Sequence, residues 1–316
     1  MAILSVSRRT DIPAFYTEWF MNRVREGSVM VRNPMNPQVI SNIRITPDVV
    51  DCIVFWTKNA FPILPCLSEI GRRYAYYFQH TLNAYDTEIE PCIPDLDARI
   101  GTFKSLSAII GKENVIWRYD PILLSDKYTA SWHRERFEYI ARELEGATDT
   151  CVISFLDMYD KIRRSMIAVG ARVPSEDEMR AIARELAGIA SVHGMRIESC
   201  AEKIDLKEFG IRHGRCIDPE RIARVTGWDL NVGRQPPQRE YCGCMESVDI
   251  GEYNTCRNGC AYCYANPPGV EKAIYTSNLH DPLSPLLAWC LEAGDKVVNK
   301  TLHSLKAGIH GQLSMF

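Results

Sequence analysis

Cys52-Ile53-Val54-Phe55-Trp56-Thr57-Lys58-Asn59 joins five unbroken apolar residues to three polar ones. The apolar part lacks the polar alternation of a half-exposed strand, so it reads as a strand buried on both faces. Five more runs of this kind lie at 3–6, 74–78, 115–117, 151–155 and 195–197. Amphipathic stretches separate them. Ser175-Glu176-Asp177-Glu178 is a capping box after Pro174, and Met179, Ile182, Leu186 and Ile189 then step along one helix face until Gly194. Phe137, Ile140, Ala141 and Leu144 repeat the pattern before Gly146, as do Phe15, Trp19, Phe20 and Val24 before Gly27. Strands alternating with helices predict a parallel sheet of βαβ units. No GxGxxG follows the first strand. The expectation is an α/β protein with a parallel, partial TIM-like barrel over residues 1–205. A hairpin is expected within 29–46, around Asn33-Pro34-Met35-Asn36-Pro37. Past 205 the alternation fades after a helix from Asp218-Pro219 to Gly227. Residues 206–316 are expected to form a C-terminal cysteine-rich module packed on the barrel mouth.

The chain has 316 residues, with 37 Lys and Arg against 40 Asp and Glu, a net charge of −3. That balance argues against a wholesale electrostatic grip on nucleic acid. No run of about 18 apolar residues is present, so no membrane span is expected. Arg8 and Arg9 come too early for a signal peptide, and a cytoplasmic location is expected.

Polar residues follow every apolar run. In parallel sheets chemistry gathers in the loops at the carboxyl ends of strands. Arg8, Arg9, Lys58, Arg118, Asp120, Asp157 and Glu198 therefore stand as candidates for one ion-rich mouth. His80 reads as a hydrogen-bonded wall residue.

Twelve cysteines stand out. A chain this long does not need disulfide staples, and Cys242, Cys244, Cys256, Cys260 and Cys263 crowd into 22 residues. Such clustering points to metal or redox chemistry. Cys256-Arg257-Asn258-Gly259-Cys260-Ala261-Tyr262-Cys263 is a CxxxCxxC. Its three soft thiolates can take three corners of a [4Fe–4S] cube and leave one iron open. Cys242, Cys244 and two of the later three also suit tetrahedral zinc. Disulfides are the third reading. Cys242 and Cys244 exceed the needs of a three-cysteine site. With Cys200 and Cys216, the nearest upstream, they make a set of four expected to ligate a second, closed cluster.

The CxxxCxxC with its aromatic resembles the signature of the radical S-adenosylmethionine (SAM) superfamily. Cys260-Ala261-Tyr262-Cys263-Tyr264-Ala265-Asn266 most resembles the spore photoproduct lyase-related branch. The whole chain resembles the domain of unknown function 1848 family. That resemblance rests on Ser7-Arg8-Arg9-Thr10-Asp11-Ile12-Pro13, Trp56-Thr57-Lys58-Asn59, Arg118-Tyr119-Asp120-Pro121, and Gln238-Arg239-Glu240-Tyr241-Cys242-Gly243-Cys244 through Asp249-Ile250-Gly251. The sequence departs from the superfamily in two ways. The motif lies past residue 250 rather than after the first strand, and the GGE motif is absent.

The resemblance implies a radical-SAM-like barrel enzyme. SAM would bind the open iron, and one electron from the cluster would split its sulfonium bond. On this reading Arg8, Arg9, Lys58 and Arg118 hold the SAM carboxylate or a substrate anion. Asp120, Asp157 and Glu198 take its ammonium or ribose hydroxyls, and Tyr262 packs near the adenine. The implied partners are a small-molecule or nucleotide-like substrate and a reducing donor such as ferredoxin or flavodoxin. Two other classes stay open. One is a nucleic-acid repair or binding protein with an iron–sulfur cluster and a basic patch at Arg221, Arg224, Arg234, Arg239 and Arg257. The other is a zinc-stabilised barrel hydrolase.

Overall fold

The structure, a computed structural model, describes residues 3–231, 241–266 and 270–306. Strand β1 (Ile3–Val6) leads through α1 (Ile12–Phe15) and α2 (Thr17–Glu26) to a hairpin, β2 (Ser28–Asn33) and β3 (Asn36–Arg44). Then come β4 (Cys52–Thr57), α3 (Leu67–Gly71), β5 (Tyr76–Thr81), α4 (Leu96–Ile110), β6 (Val115–Ile122) and α5 (Ala130–Glu143). Next are β7 (Thr150–Phe155), α6 (Asp160–Ala168), α7 (Glu176–Val192) and β8 (Arg196–Cys200). The chain continues with β9 (Arg212–Gly214), α8 (Pro219–Thr226), β10 (Val248–Asp249), α9 (Glu271–Ser277) and β11 (Lys296–Lys300).

Eight strands form one sheet in the order β10-β1-β4-β5-β6-β7-β8-β9, and all its pairings are parallel. The fold is therefore α/β, and the six expected strands are its centre. Their bounds shift by a few residues: the third begins at Tyr76, and β6 runs on through the cis Asp120–Pro121 bond to Ile122. The edge strands β9 and β10 are three and two residues long, too short to leave a periodic signal. Both lie past residue 205, so the expected division there does not separate two sheets. The hairpin is present, and β11 adds to β3 in parallel as a third strand.

Period-two alternation divides the strand residues between two faces. Leu4, Ile53, Phe55, Phe78, Trp117 and Ile153 point to one side, where α2, α4, α5 and α7 cover them in the main core. Ile3, Cys52, Val54, Tyr77, Ile116 and Val152 point to the other, against Ile217, Ile222 and Met245. Helix α7 starts with the expected capping box of Ser175 and Glu178. Strands β9 and β10 are not paired with each other, but the segments beside them meet: the Met245 N–H donates to the Ile217 carbonyl at 3.0 Å. Among the described residues no helix is long and apolar enough to cross a membrane.

His133, on α5, is fully buried. Its Nδ1 accepts from the Tyr119 hydroxyl (2.8 Å) and its Nε2–H donates to the Leu123 carbonyl (2.7 Å). Burial pushes the ring down to about 4 from 6.5. A depressed histidine contributes stability that is present above about pH 6.5 and lost as pH falls through about 4. Urea midpoints should therefore fall between these two values, and His133→Gln should make that fall shallower. An unchanged slope in the variant would contradict the assignment.

Candidate functional site

Parallel strands place all their carboxyl ends on one side, and the loops that leave β1, β4, β5, β6, β7 and β8 meet there. The best-tied junction lies between β1 and β10. The Asp249 carboxylate accepts from Ser5 Oγ (2.7 Å), Ser7 Oγ (2.6 Å), and the backbone N–H groups of Arg8 (2.8 Å) and Gly251 (3.0 Å). Arg8 and Arg9 each bring Nε to 4.0 Å of it. Gly251 is required at this approach, because a Cβ there would lie 2.0 Å from Ser7 Oγ.

Ser5 Oγ also accepts from Trp56 Nε1 at 3.1 Å. Two guanidiniums approach the Trp56 ring, Arg8 at 5.7 Å and Arg118 at 5.6 Å from its centroid. Arg118 is buried and committed inward. It donates to Asp120, to Gln79 Oε1 (3.3 Å) and to Cys216 Sγ (2.9 Å). It is thus not a free receptor for a ligand carboxylate, contrary to expectation. Burial raises the Asp120 carboxyl, but Arg118 and the Ser154 hydroxyl outweigh it and hold the group below its ordinary range.

A second group of charges lies under the CxxxCxxC loop. Lys58 Nζ donates to Glu90 Oε1 (2.8 Å) and contacts the Tyr262 hydroxyl (2.7 Å). Glu90 also accepts hydrogen bonds from the Tyr262 hydroxyl and from Asn83 Nδ2 (3.2 Å), with Arg99 at 3.6 Å from its other oxygen. Burial works against the Lys58 charge, yet Glu90, with Cys260 adding to it, holds the ammonium above its ordinary value. Asp11 joins three segments: it accepts from the Lys58 N–H (2.8 Å), Asn258 Nδ2 (3.1 Å) and the Ala14 N–H that it caps (3.1 Å). His80 nearby is buried and pushed down to about 3 by burial and Arg99.

The cysteine loop is pinned along its length. Tyr16 Oη donates to Thr255 O (2.6 Å), the Ala261 N–H to Ile89 O (2.9 Å), and Ser165 Oγ to Ala261 O (2.7 Å). Gly259 has φ +70°, and a Cβ there would strike Val270 Cγ1 at 2.6 Å. The thiols of Cys256, Cys260 and Cys263 are close enough to act electrostatically on one another. The other four expected ligands also gather, apart from these three. Cys200 and Cys216 sulfurs are 3.1 Å apart, and Cys244 contacts both Cys216 and Cys242. All twelve cysteines are free thiols. Among the described residues, no three or more His, Cys, Asp or Glu are arranged as they stand to hold a metal ion.

The remaining expectations divide. Arg9 stacks on Tyr253 (5.3 Å) and reaches Gly251 O (3.4 Å) at the same rim. Asp157 is exposed at the β7 exit and bonded by the Tyr159 hydroxyl at 3.2 Å. Glu198 does not join the rim. It lies two residues before Cys200 on the same face, about 7 Å deeper, among Arg221, Asp218, Arg196 and Arg224. Glu202 takes its place: it accepts the Phe155 N–H at 2.8 Å, and burial pushes it up to about 7. Asp11 and Glu202 stand among the polar residues that follow the first and sixth apolar runs, whereas Glu90 and Asp249 lie far in sequence from the residues they bind, where no spacing marks a partner. The basic patch loses Arg221, which is buried and donates to Glu113 O (2.9 Å), and Arg257 stacks on Phe15 at 4.7 Å. Arg234, Arg239 and the segment Gln238-Arg239-Glu240 lie outside the described residues.

A parallel α/β sheet whose strand-end loops gather thiols and paired buried charges defines the class. The chain belongs to the family described as domain of unknown function DUF1848, whose model matches residues 3–265. No curated protein matches it.

Asp249→Ala removes one acceptor for four donors. It should lower stability by about 3 kcal/mol, in the range for hydrogen bonds to a charged group. Chemical denaturation of both chains measures this, and a loss below about 0.5 kcal/mol would remove Asp249 as the clamp.

Proposed function

We propose that this chain is an iron–sulfur enzyme of radical-SAM type, working at the carboxyl ends of a parallel sheet that curls into a partial barrel. One observation carries the reading. The CxxxCxxC loop brings three mutually interacting thiols to the strand ends, clamped by Asp11 and bordered by the buried Lys58–Glu90 pair. The donor set fits the cofactor, because three soft thiolates suit a [4Fe–4S] cluster and leave one iron for a ligand. Cys256, Cys260 and Cys263 would hold it. A cluster held there with SAM would supply one electron to the sulfonium.

The chain's own residues bind, orient and exclude water. Lys58 keeps a positive charge against Cys260, and Glu90 with Arg99 holds that lysine in place. Arg8 and Arg9, at the rim, are the cations for the SAM carboxylate or a substrate anion. Arg118 positions Asp120 and the Trp56 ring instead. Asp120, Asp157 and Glu202 line the exits of β6, β7 and β8 as acceptors for an ammonium or hydroxyls. Tyr262 is fixed through its hydroxyl and borders Tyr85 at 6.3 Å, and it would pack near the adenine. The substrate is a small or nucleotide-like molecule, and ferredoxin or flavodoxin supplies the electron. Twelve free thiols suit the reducing cytoplasm.

Anaerobic reconstitution should give brown protein with about four irons and four sulfides at this site. On reduction its EPR signal should change when SAM is added, and Cys260→Ala should lose the signal. Colourless protein after reconstitution would sink the cluster. A signal indifferent to SAM would leave a non-SAM iron–sulfur protein.

A further inference from the structure

We propose a second metal site, where the two edges of the sheet approach each other: Cys200, Cys216, Cys242 and Cys244 hold one thiophilic divalent ion, such as zinc, through four thiolates. The site is independent of the cluster proposed above. Cys200 ends β8, Cys216 follows β9, and Cys242 and Cys244 precede β10. These thiols therefore come from both edges of an eight-stranded sheet whose edge strands do not pair. The Cys200 and Cys216 sulfurs lie 3.1 Å apart, and Cys244 Sγ accepts the Cys216 N–H at 3.2 Å, with Cys242 beside Cys244 in the same segment. Three of the four are buried, and all pack among Ile217, Ile222 and Met245 on the face opposite the main core.

Size decides between one ion and a cube. With a Zn–S bond of about 2.3 Å, a tetrahedral site spaces its sulfurs about 3.8 Å apart. The Cys200–Cys216 pair is closer than that, at 3.1 Å, so the thiols do not enclose an ion as they stand. Separation by about 0.7 Å, within reach of side-chain rotation, brings that pair to the tetrahedral spacing. An eight-atom cube must fit between its ligands and needs them much farther apart. The contacts thus favour a single ion over the closed cluster expected from the spacing of the cysteines.

The surroundings are those of bound thiolates. Cys244 Sγ accepts the N–H groups of Cys216 (3.2 Å) and Ile217 (3.5 Å), and Arg118 donates to Cys216 Sγ at 2.9 Å. Donors of this kind orient ligands and offset their charge. Four protein ligands leave no open position, so the ion is structural and fastens one sheet edge to the other.

The test uses the full chain carrying Cys256→Ala, Cys260→Ala and Cys263→Ala, which removes the cluster ligands. Purified without added metal, it should contain one zinc per chain. Chelation should release that zinc, expose four further thiols to alkylation and lower the melting temperature. Adding Cys216→Ser should bring zinc below a tenth of an equivalent. If that variant does not fold, cobalt exchange into the triple variant serves instead. A tetrahedral cobalt–thiolate spectrum supports the site, and an octahedral one overturns it. Metal-free folded protein, or iron with equimolar sulfide in the triple variant, also overturns it. Failure of the cluster reading registers separately, as wild-type protein that takes up no iron.

Discussion

A sheet of parallel strands that does not close leaves two edges with backbone groups to satisfy, and this constraint organises the molecule. The edges are kept short, three residues in β9 and two in β10. The segments beside them meet through the Met245–Ile217 hydrogen bond and the N–H groups that Cys216 and Ile217 direct at Cys244. Strand β10 is then locked to β1 by Asp249. The chain after β10 is thereby directed to the strand ends, where the CxxxCxxC loop is pinned.

The charges at those ends are grouped rather than scattered. Arg118 is matched by Asp120, and Lys58 with Arg99 by Glu90. Removing one partner from such a pair leaves a buried charge uncompensated, so each group holds its neighbours in one arrangement. Arg118 links the groups further: it stacks on Trp56 and donates to Cys216, connecting the rim to the thiols on the face opposite the main core. Arg8 and Arg9 are less buried and stand at the outer rim.

Much of the fold follows from local pattern. Runs such as 52–56 are apolar on both faces, the pattern of a strand covered on both sides. Ser175 and Glu178 announce α7 through backbone N–H groups that lie within three residues of them. The CxxxCxxC is equally local: its three cysteines lie within eight residues of one another. The same reading finds the hairpin, since both its strands and its turn are contiguous.

Long-range partners are a different matter. Asp249 is one acidic residue among many until β10 sets it beside Ser5, 244 residues away. Glu198 and Glu202 are near neighbours in a polar stretch, and only their depth relative to β8 gives the rim to Glu202. Arg118 looks like a free cation in sequence, yet folding surrounds it with Asp120, Gln79 and Cys216. Unbroken apolar runs and helical periodicity set which segments are strands and which are helices. Which side chains become partners depends on sheet order, because order alone sets residues hundreds of positions apart within hydrogen-bond reach.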